Sequence, residues 1–141
     1  MTEPGVTITI VPAGDVIVLD LWAGALPDLG DVALMQVEPQ RWWLLNPGNA
    51  LEAIETAIGE HGALTPIGGG LMRAALTGAG WRAQLMISGL FDAENPAFGP
   101  DCCAATQLHH APVWIDVLGE DAADVYFPAS LLGDVQHLWG L

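Results

Sequence analysis

The sequence has no lysine, and its three basic residues, Arg41, Arg73 and Arg82, stand against 17 acidic ones for a net charge of −14. That balance repels a phosphate backbone, so nucleic-acid binding by counterion release is excluded. Anionic membrane surfaces are disfavoured on the same ground. The missing lysine also removes Schiff-base chemistry and any P-loop, which needs its Gly-Lys-Ser/Thr end. Serine is limited to Ser88 and Ser130, both at helix positions and neither in a G-x-S-x-G elbow. Cysteine is limited to the adjacent Cys102 and Cys103, which cannot build a disulfide framework. No stretch reaches the ~18–20 continuous apolar residues of a membrane span. The longest, residues 16–21 and 83–90, are interrupted or bounded by Asp15, Asp20, Gln84 and Asp92. The opening Met-Thr-Glu-Pro-Gly lacks the basic start of a signal peptide, so a cytoplasmic location is expected.

What is present is apolar. At 141 residues the chain is expected to form one domain, 1–141. Apolar residues make up 52% before its 17 glycines are added, whereas an average soluble chain reaches about 45–50% with glycine included. Six tryptophans add to the excess. Two readings stay open: a core rich in alanine and leucine, or a surplus that covers a partner. The acidic residues are scattered, as solubility charge is, and form no tail.

Alternating β-branched residues over 6–11 and the run 16–22 predict an N-terminal β-hairpin turning at Pro12-Ala-Gly-Asp15. Residues 33–37 read as a short strand, and Arg41-Trp-Trp-Leu-Leu45 as a strand stopped by Asn46-Pro-Gly48. A helix follows, with Asn49 and Glu52 placed as a capping box and Leu51, Ile54 and Ile58 on one face. Residues 63–67 and 71–77 read as strands around a Gly68-Gly-Gly70 turn, and 79–88 as a helix closing at Gly89. Residues 92–101 read as loop. Residues 104–118 read as one long strand, bulged at Pro112 because proline cannot donate to a central ladder. A strand over 123–127 and a helix capped by Ser130, with Leu131, Val135, Leu138 and Trp139 on one face, end the chain. From residue 41 the order is β-α-β-β-α-β-β-α, an α+β fold with helices on one face of a mostly antiparallel sheet.

Cys102, Cys103, His109 and His110 are metal-ligand types, but each pair is adjacent, and neighbouring side chains on a strand point to opposite faces. On a regular strand Cys103 and His109 lie roughly 20 Å apart, while zinc holds its ligands at ~2.3 Å or less. The same separation argues against a Cys–His nucleophile. Gly68-Gly-Gly70 lacks the G-x-G-x-x-G order and reads as a turn, as does Gly78-Ala-Gly80. Arg73 and Arg82, being among so few cations, each point to a carboxylate, either internal or on a partner. Trp42, Trp43, Trp114 and Trp139 are candidate interface anchors. Trp42 and Trp43 are adjacent on a strand, so one of them is expected to face away from the core.

Beyond these residues lies a resemblance. Phe98, Gly99, Cys103, Ala104, Thr106, Leu108, Pro112 and Val113 form a series similar to one in the gamma subunits of heterotetrameric sarcosine oxidase. That family belongs to the glycine-cleavage T-protein-like folate-binding superfamily. Phe127-Pro-Ala-Ser130-Leu131 and Leu138-Trp139 resemble its last strand and helix, and Leu76-Thr77-Gly78 into Arg82 and Leu85 resembles its turn into a helix. The resemblance spans roughly residues 41–141. It departs at Gly68-Gly-Gly70, where the family carries an aspartate and a serine, and over the poorly matched residues 1–40.

The resemblance implies a non-catalytic structural subunit of a complex that oxidatively demethylates sarcosine to glycine, in sarcosine catabolism and one-carbon metabolism. FAD, FMN, NAD and tetrahydrofolate would sit on larger flavoprotein subunits, and this chain would carry no catalytic, cofactor or metal residues. Interface residues would be Trp42, Trp43, Arg73, Arg82, Trp114 and Trp139. Two alternatives stay open: a stand-alone folate-binding protein, with Asp116 or Glu120 as the carboxylate for the pterin, and a homo-oligomeric interaction module.

Overall fold

A computed structural model of the chain describes residues 4–87, 92–95, 97–100 and 102–141. The length suggests one domain; the chain folds as two compact units, Ala13–Gly69 and a second made of Met1–Pro12 with Gly70–Leu141. Both are α+β with antiparallel sheets, as the periodicity predicts.

The larger unit contains β1 (Thr7–Pro12), β6 (Leu71–Thr77), α2 (Trp81–Met86), β7 (Cys103–Leu108), β8 (Ala111–Gly119), β9 (Ala122–Pro128) and α3 (Leu132–Trp139). Its five strands run in the order β1-β6-β9-β8-β7. One face of this sheet, through Ala74, Leu76, Val113, Ile115, Val117, Ala123, Val125 and Phe127, packs on Trp81 and Leu85 of α2 and Val135 and Trp139 of α3. The α3 residues are those the 3.6-residue period places on one stripe. The smaller unit contains β2 (Val16–Leu21), β3 (Ala33–Glu38), β4 (Arg41–Leu45), α1 (Leu51–Ile58) and β5 (Gly62–Pro66), with strand order β3-β4-β2-β5. Ile54 and Ile58 of α1 close its core over Ile17, Leu19, Leu21, Trp42 and Leu44.

Several expectations are corrected. β1 and β2 form where alternation places them, but they do not pair with each other. β1 pairs along its whole length with β6, from Thr7↔Thr77 to Pro12↔Met72, while β2 lies between β4 and β5. Alternation marks a strand without naming its partner, and here the partners are distant in sequence.

The single strand expected over 104–118 is two strands, β7 and β8, joined by the two-residue loop His109-His110. His109 takes the left-handed conformation such a turn requires, with φ 57°. Pro112 is therefore no bulge. It pairs with Gln107, one step from the closing pair Leu108↔Ala111, where an antiparallel ladder needs no N–H, and β9 pairing begins only at Trp114.

Neither helix cap forms as read. A 3-10 turn, Gly48–Ala50, precedes α1, and another, Ala129–Leu131, precedes α3, so neither Asn49 nor Ser130 caps the helix it leads into. The end expected for the second helix, at Ser88 and Gly89, lies outside the described residues, as do Pro96 and Asp101 of the expected loop.

Gly68-Gly-Gly70 is a 3-10 turn, but its glycines are not equivalent. A Cβ on Gly68 would overlap the Gly14 carbonyl oxygen and crowd the Val16 amide, whereas one on Gly69 meets nothing within 4 Å. Gly68→Ala is therefore expected to cost about 1–3 kcal/mol, lowering the melting temperature by roughly 5–10 °C. Gly69→Ala should leave it within about 2 °C. Thermal unfolding followed by circular dichroism separates them, and equal losses from both variants would show that the close backbone approach is not the constraint.

Candidate functional site

A concavity of the larger unit lies where the β7–β8 hairpin tip meets α3. Leu108, His109, His110 and Ala111 form one wall, and Leu131, Asp134, Val135, His137 and Leu138 form the other, enclosing about 390 Å³. The local sequence explains the division. Val135 and Trp139 turn into the core, which leaves Asp134 and His137 on the outer side of α3 and Leu131 and Leu138 on its flanks. The His109 and His110 rings lie 4.1 Å apart, tilted by 52°, and both are exposed. The lining is an apolar floor with imidazoles and one carboxylate at the rim. It holds no serine, cysteine or lysine to act as a nucleophile. Among the described residues, no group of three or more His, Cys, Asp or Glu side chains is placed to hold a metal ion. Cys103 begins β7 and His109 follows its end, so the hairpin keeps them apart as the strand argument requires.

A second feature is the sheet face turned away from α2 and α3. Pairing sets Arg73, Tyr126 and Trp114 in one row across β6, β9 and β8, and Asp124, Asp116 and Cys103 in the next across β9, β8 and β7. Arg73 Nη1 lies 3.3 Å from Asp124 Oδ1. Asp124 is 8% exposed, and burial raises its carboxyl pKa against the opposing pull of Arg73. Burial likewise drives the Tyr126 phenol upward, helped by Asp124 and opposed by Arg73. Cys103 is pushed up to about 12, by burial first and then by Asp116 and Cys102. The cysteine is therefore held as a thiol at neutral pH, the opposite of what a nucleophile needs. Asp116 sits directly across from Asp124, a like-charge pairing that costs stability unless a cation or a proton relieves it. Arg73 thus serves an internal ion pair.

Arg82 is engaged differently. Its Nη1 donates to the carbonyls of Ala93 at 2.6 Å and Phe98 at 2.5 Å, and its guanidinium lies 4.3 Å from the Trp81 ring centre. Burying a planar cation between carbonyls and aromatic faces fixes the segment around Phe98 against α2. Among the described residues its hydrogen bonds go to these carbonyls, where a carboxylate was expected.

Of the expected anchors, Trp42, Trp43 and Trp139 are 8%, 4% and 0% exposed, so all three are buried within the fold. The expectation that Trp42 or Trp43 faces away from a core is corrected in its consequence. They do lie on opposite faces of β4, Trp42 in the α1 core and Trp43 between Met35 and Val18 in the register, but both faces are covered. Trp114 is half-buried. Asp116 lies outside the hairpin–α3 groove, and Glu120 sits exposed in the β8–β9 turn, its carbonyl accepting the Trp81 indole N–H at 2.7 Å.

The residue that sequence reasoning missed is Trp22, whose side chain is 63% exposed. The available signal was the Ala-Gly-Ala that follows it, a stretch with no side chain large enough to cover an indole.

No protein-family model matches this chain, and no curated protein matches it in sequence. Among solved structures, its fold matches that of a chain in the heterotetrameric sarcosine oxidase from Corynebacterium sp. U-96, in complex with pyrrole 2-carboxylate. The TM-score is 0.80 at 20% identity, over 95% of this chain and 81% of that one. The resemblance seen in the C-terminal residues thus extends to a fold shared along nearly the whole chain.

The Cys103 environment has a direct chemical readout. With a folded pKa near 12 against 9.0 for the free thiol, its thiolate fraction at pH 8 is roughly a thousand-fold smaller than that of a free cysteine. Iodoacetamide labelling of the native protein, mapped by mass spectrometry, should leave Cys103 nearly unmodified while the unfolded chain reacts fully. Because the folded pKa is raised, the thiol's contribution to stability is complete below pH 9 and is lost as pH climbs toward 12. Rapid native labelling at pH 8 would contradict the buried, acid-flanked setting.

Proposed function

We propose that this chain is the small, non-catalytic subunit of a heteromeric sarcosine oxidase-like flavoenzyme. The observation that carries the reading is the fold shared with a chain of that enzyme over 95% of the present sequence. The residues of the chain agree with it. The groove offers an apolar floor without a nucleophile, Cys103 is kept protonated, and all three arginines are engaged within the fold. In this reading the complex oxidises the N-methyl group of sarcosine or a related N-methyl amino acid, passing the two electrons through flavin to oxygen, transfers the one-carbon unit to tetrahydrofolate and releases glycine or its counterpart. FAD, FMN, NAD and folate belong to the larger subunits. The present chain supports them by association.

Co-expression with the larger subunits of a sarcosine oxidase from the same source, followed by affinity purification on this chain, tests the proposal. A stoichiometric complex that carries flavin absorbance, with the isolated chain colourless, is the expected result. A chain that purifies alone in the presence of those subunits, or that binds folate by itself in calorimetry, would contradict it.

A further inference from the structure

Trp22 directly follows β2 in the smaller unit and is held from two sides. Its backbone N–H donates to the His61 carbonyl at 2.9 Å, and its indole N–H donates to the Glu60 carbonyl at 3.0 Å. The loop after it is pinned as well. Gln40 Nε2 donates to the Gly24 carbonyl at 3.1 Å, and the Leu21 amide donates to the Gln40 carbonyl at 3.0 Å. Residues 22–25, Trp-Ala-Gly-Ala, are nevertheless all exposed, with the indole at 63%. A rigid, mostly solvated tryptophan beside small residues is an anchor whose ordering cost is already met, with room for close approach.

The charge around it selects the occupant. The unit of residues 13–69 carries eight carboxylates and a single arginine. That arginine, Arg41, is bound to Asp20 at 2.7 Å and Glu38 at 3.1 Å, and Glu60 adjoins the indole contact. A second copy would bring the same negative field, since each chain is at −14.

Resting on the reading of the chain as a subunit, we propose that Trp22 with Ala23 and Ala25 docks into an apolar pocket, rimmed by lysine or arginine, on one of the larger subunits.

The test measures binding of the purified chain to those subunits for wild type, Trp22→Ala and Ala25→Arg. Ala25→Arg leaves every hydrogen bond of Trp22 in place and so guards against a folding artefact, and circular dichroism checks both variants. The expected result is about thirty-fold weaker binding for Trp22→Ala, at least ten-fold weaker binding for Ala25→Arg, which sets a bulky cation against the basic rim, and wild-type affinity that falls as salt rises. Wild-type binding with both variants within two-fold would overturn the Trp22 site and leave the subunit reading intact. Affinity independent of salt would overturn the basic rim. Loss of a wild-type self-dimer in Trp22→Ala, with partner affinity unchanged, would assign the surface to a second copy and overturn the proposal. Absence of any wild-type complex would remove the subunit reading and this site together.

Discussion

Three arginines must serve seventeen carboxylates, and each is engaged within the fold. Arg73 offsets the burial of Asp124 on a sheet face where Asp116 stands directly opposite. Without it, Asp124 would lose the ion pair that opposes the cost of its burial, beside a second carboxylate on the adjacent strand. Arg82 supplies donors to two loop carbonyls that the helix and sheet ladders leave unserved, and it lies over the Trp81 ring while doing so. Arg41 ties β2 to β4 at the exposed edge of the smaller unit. With seventeen carboxylates to three arginines the net charge stays strongly negative, and Trp22 is the most exposed large apolar side chain among the described residues. A surface of that kind repels its own copies and favours a partner with basic and apolar patches.

The same scarcity bears on chemistry. Nucleophiles and acid–base pairs are usually made by setting a cation or a second titratable group beside the reacting one. Here the perturbed groups shift the other way. Burial and neighbouring acid hold the Cys103 thiol and the Tyr126 phenol protonated, and burial raises the Asp124 carboxyl. These are the signatures of polar groups enclosed by a fold, and the role proposed for the chain asks for nothing else from them.

Much of this architecture was legible in the sequence. Alternation marked β1, apolar runs bounded by turn residues marked β2, β4, β6 and β9, and the helical stripes of α1 and α3 bury Ile54, Ile58, Val135 and Trp139. What was illegible had physical causes. The β7–β8 turn carries His109-His110 in place of the glycine or asparagine that announces a hairpin, because histidine tolerates the left-handed region better than most residues. The residues that β1 pairs with lie 60 to 70 positions away, from Pro12↔Met72 to Thr7↔Thr77, and no local pattern encodes them. Trp42-Trp-Leu-Leu45 has no polar alternation, the mark of a strand covered on both faces, yet two adjacent tryptophans invited an interface. The exposed indole of Trp22 followed an ordinary strand run and looked like more of the same. Of the residues expected at an interface, Arg73 pairs with Asp124, Arg82 binds the Ala93 and Phe98 carbonyls, Trp42, Trp43 and Trp139 are buried, and Trp114 is half-buried.

The central claim is that the chain supports an oxidase without taking part in its chemistry. The most direct measurement compares sarcosine turnover per flavin, and thermal stability, for the larger subunits prepared with and without this chain. The account predicts that omission lowers stability or prevents assembly, while any assembly that survives turns over each flavin at an unchanged rate. An intact, equally stable assembly that has lost a chemical step would contradict it and place catalytic residues in this chain.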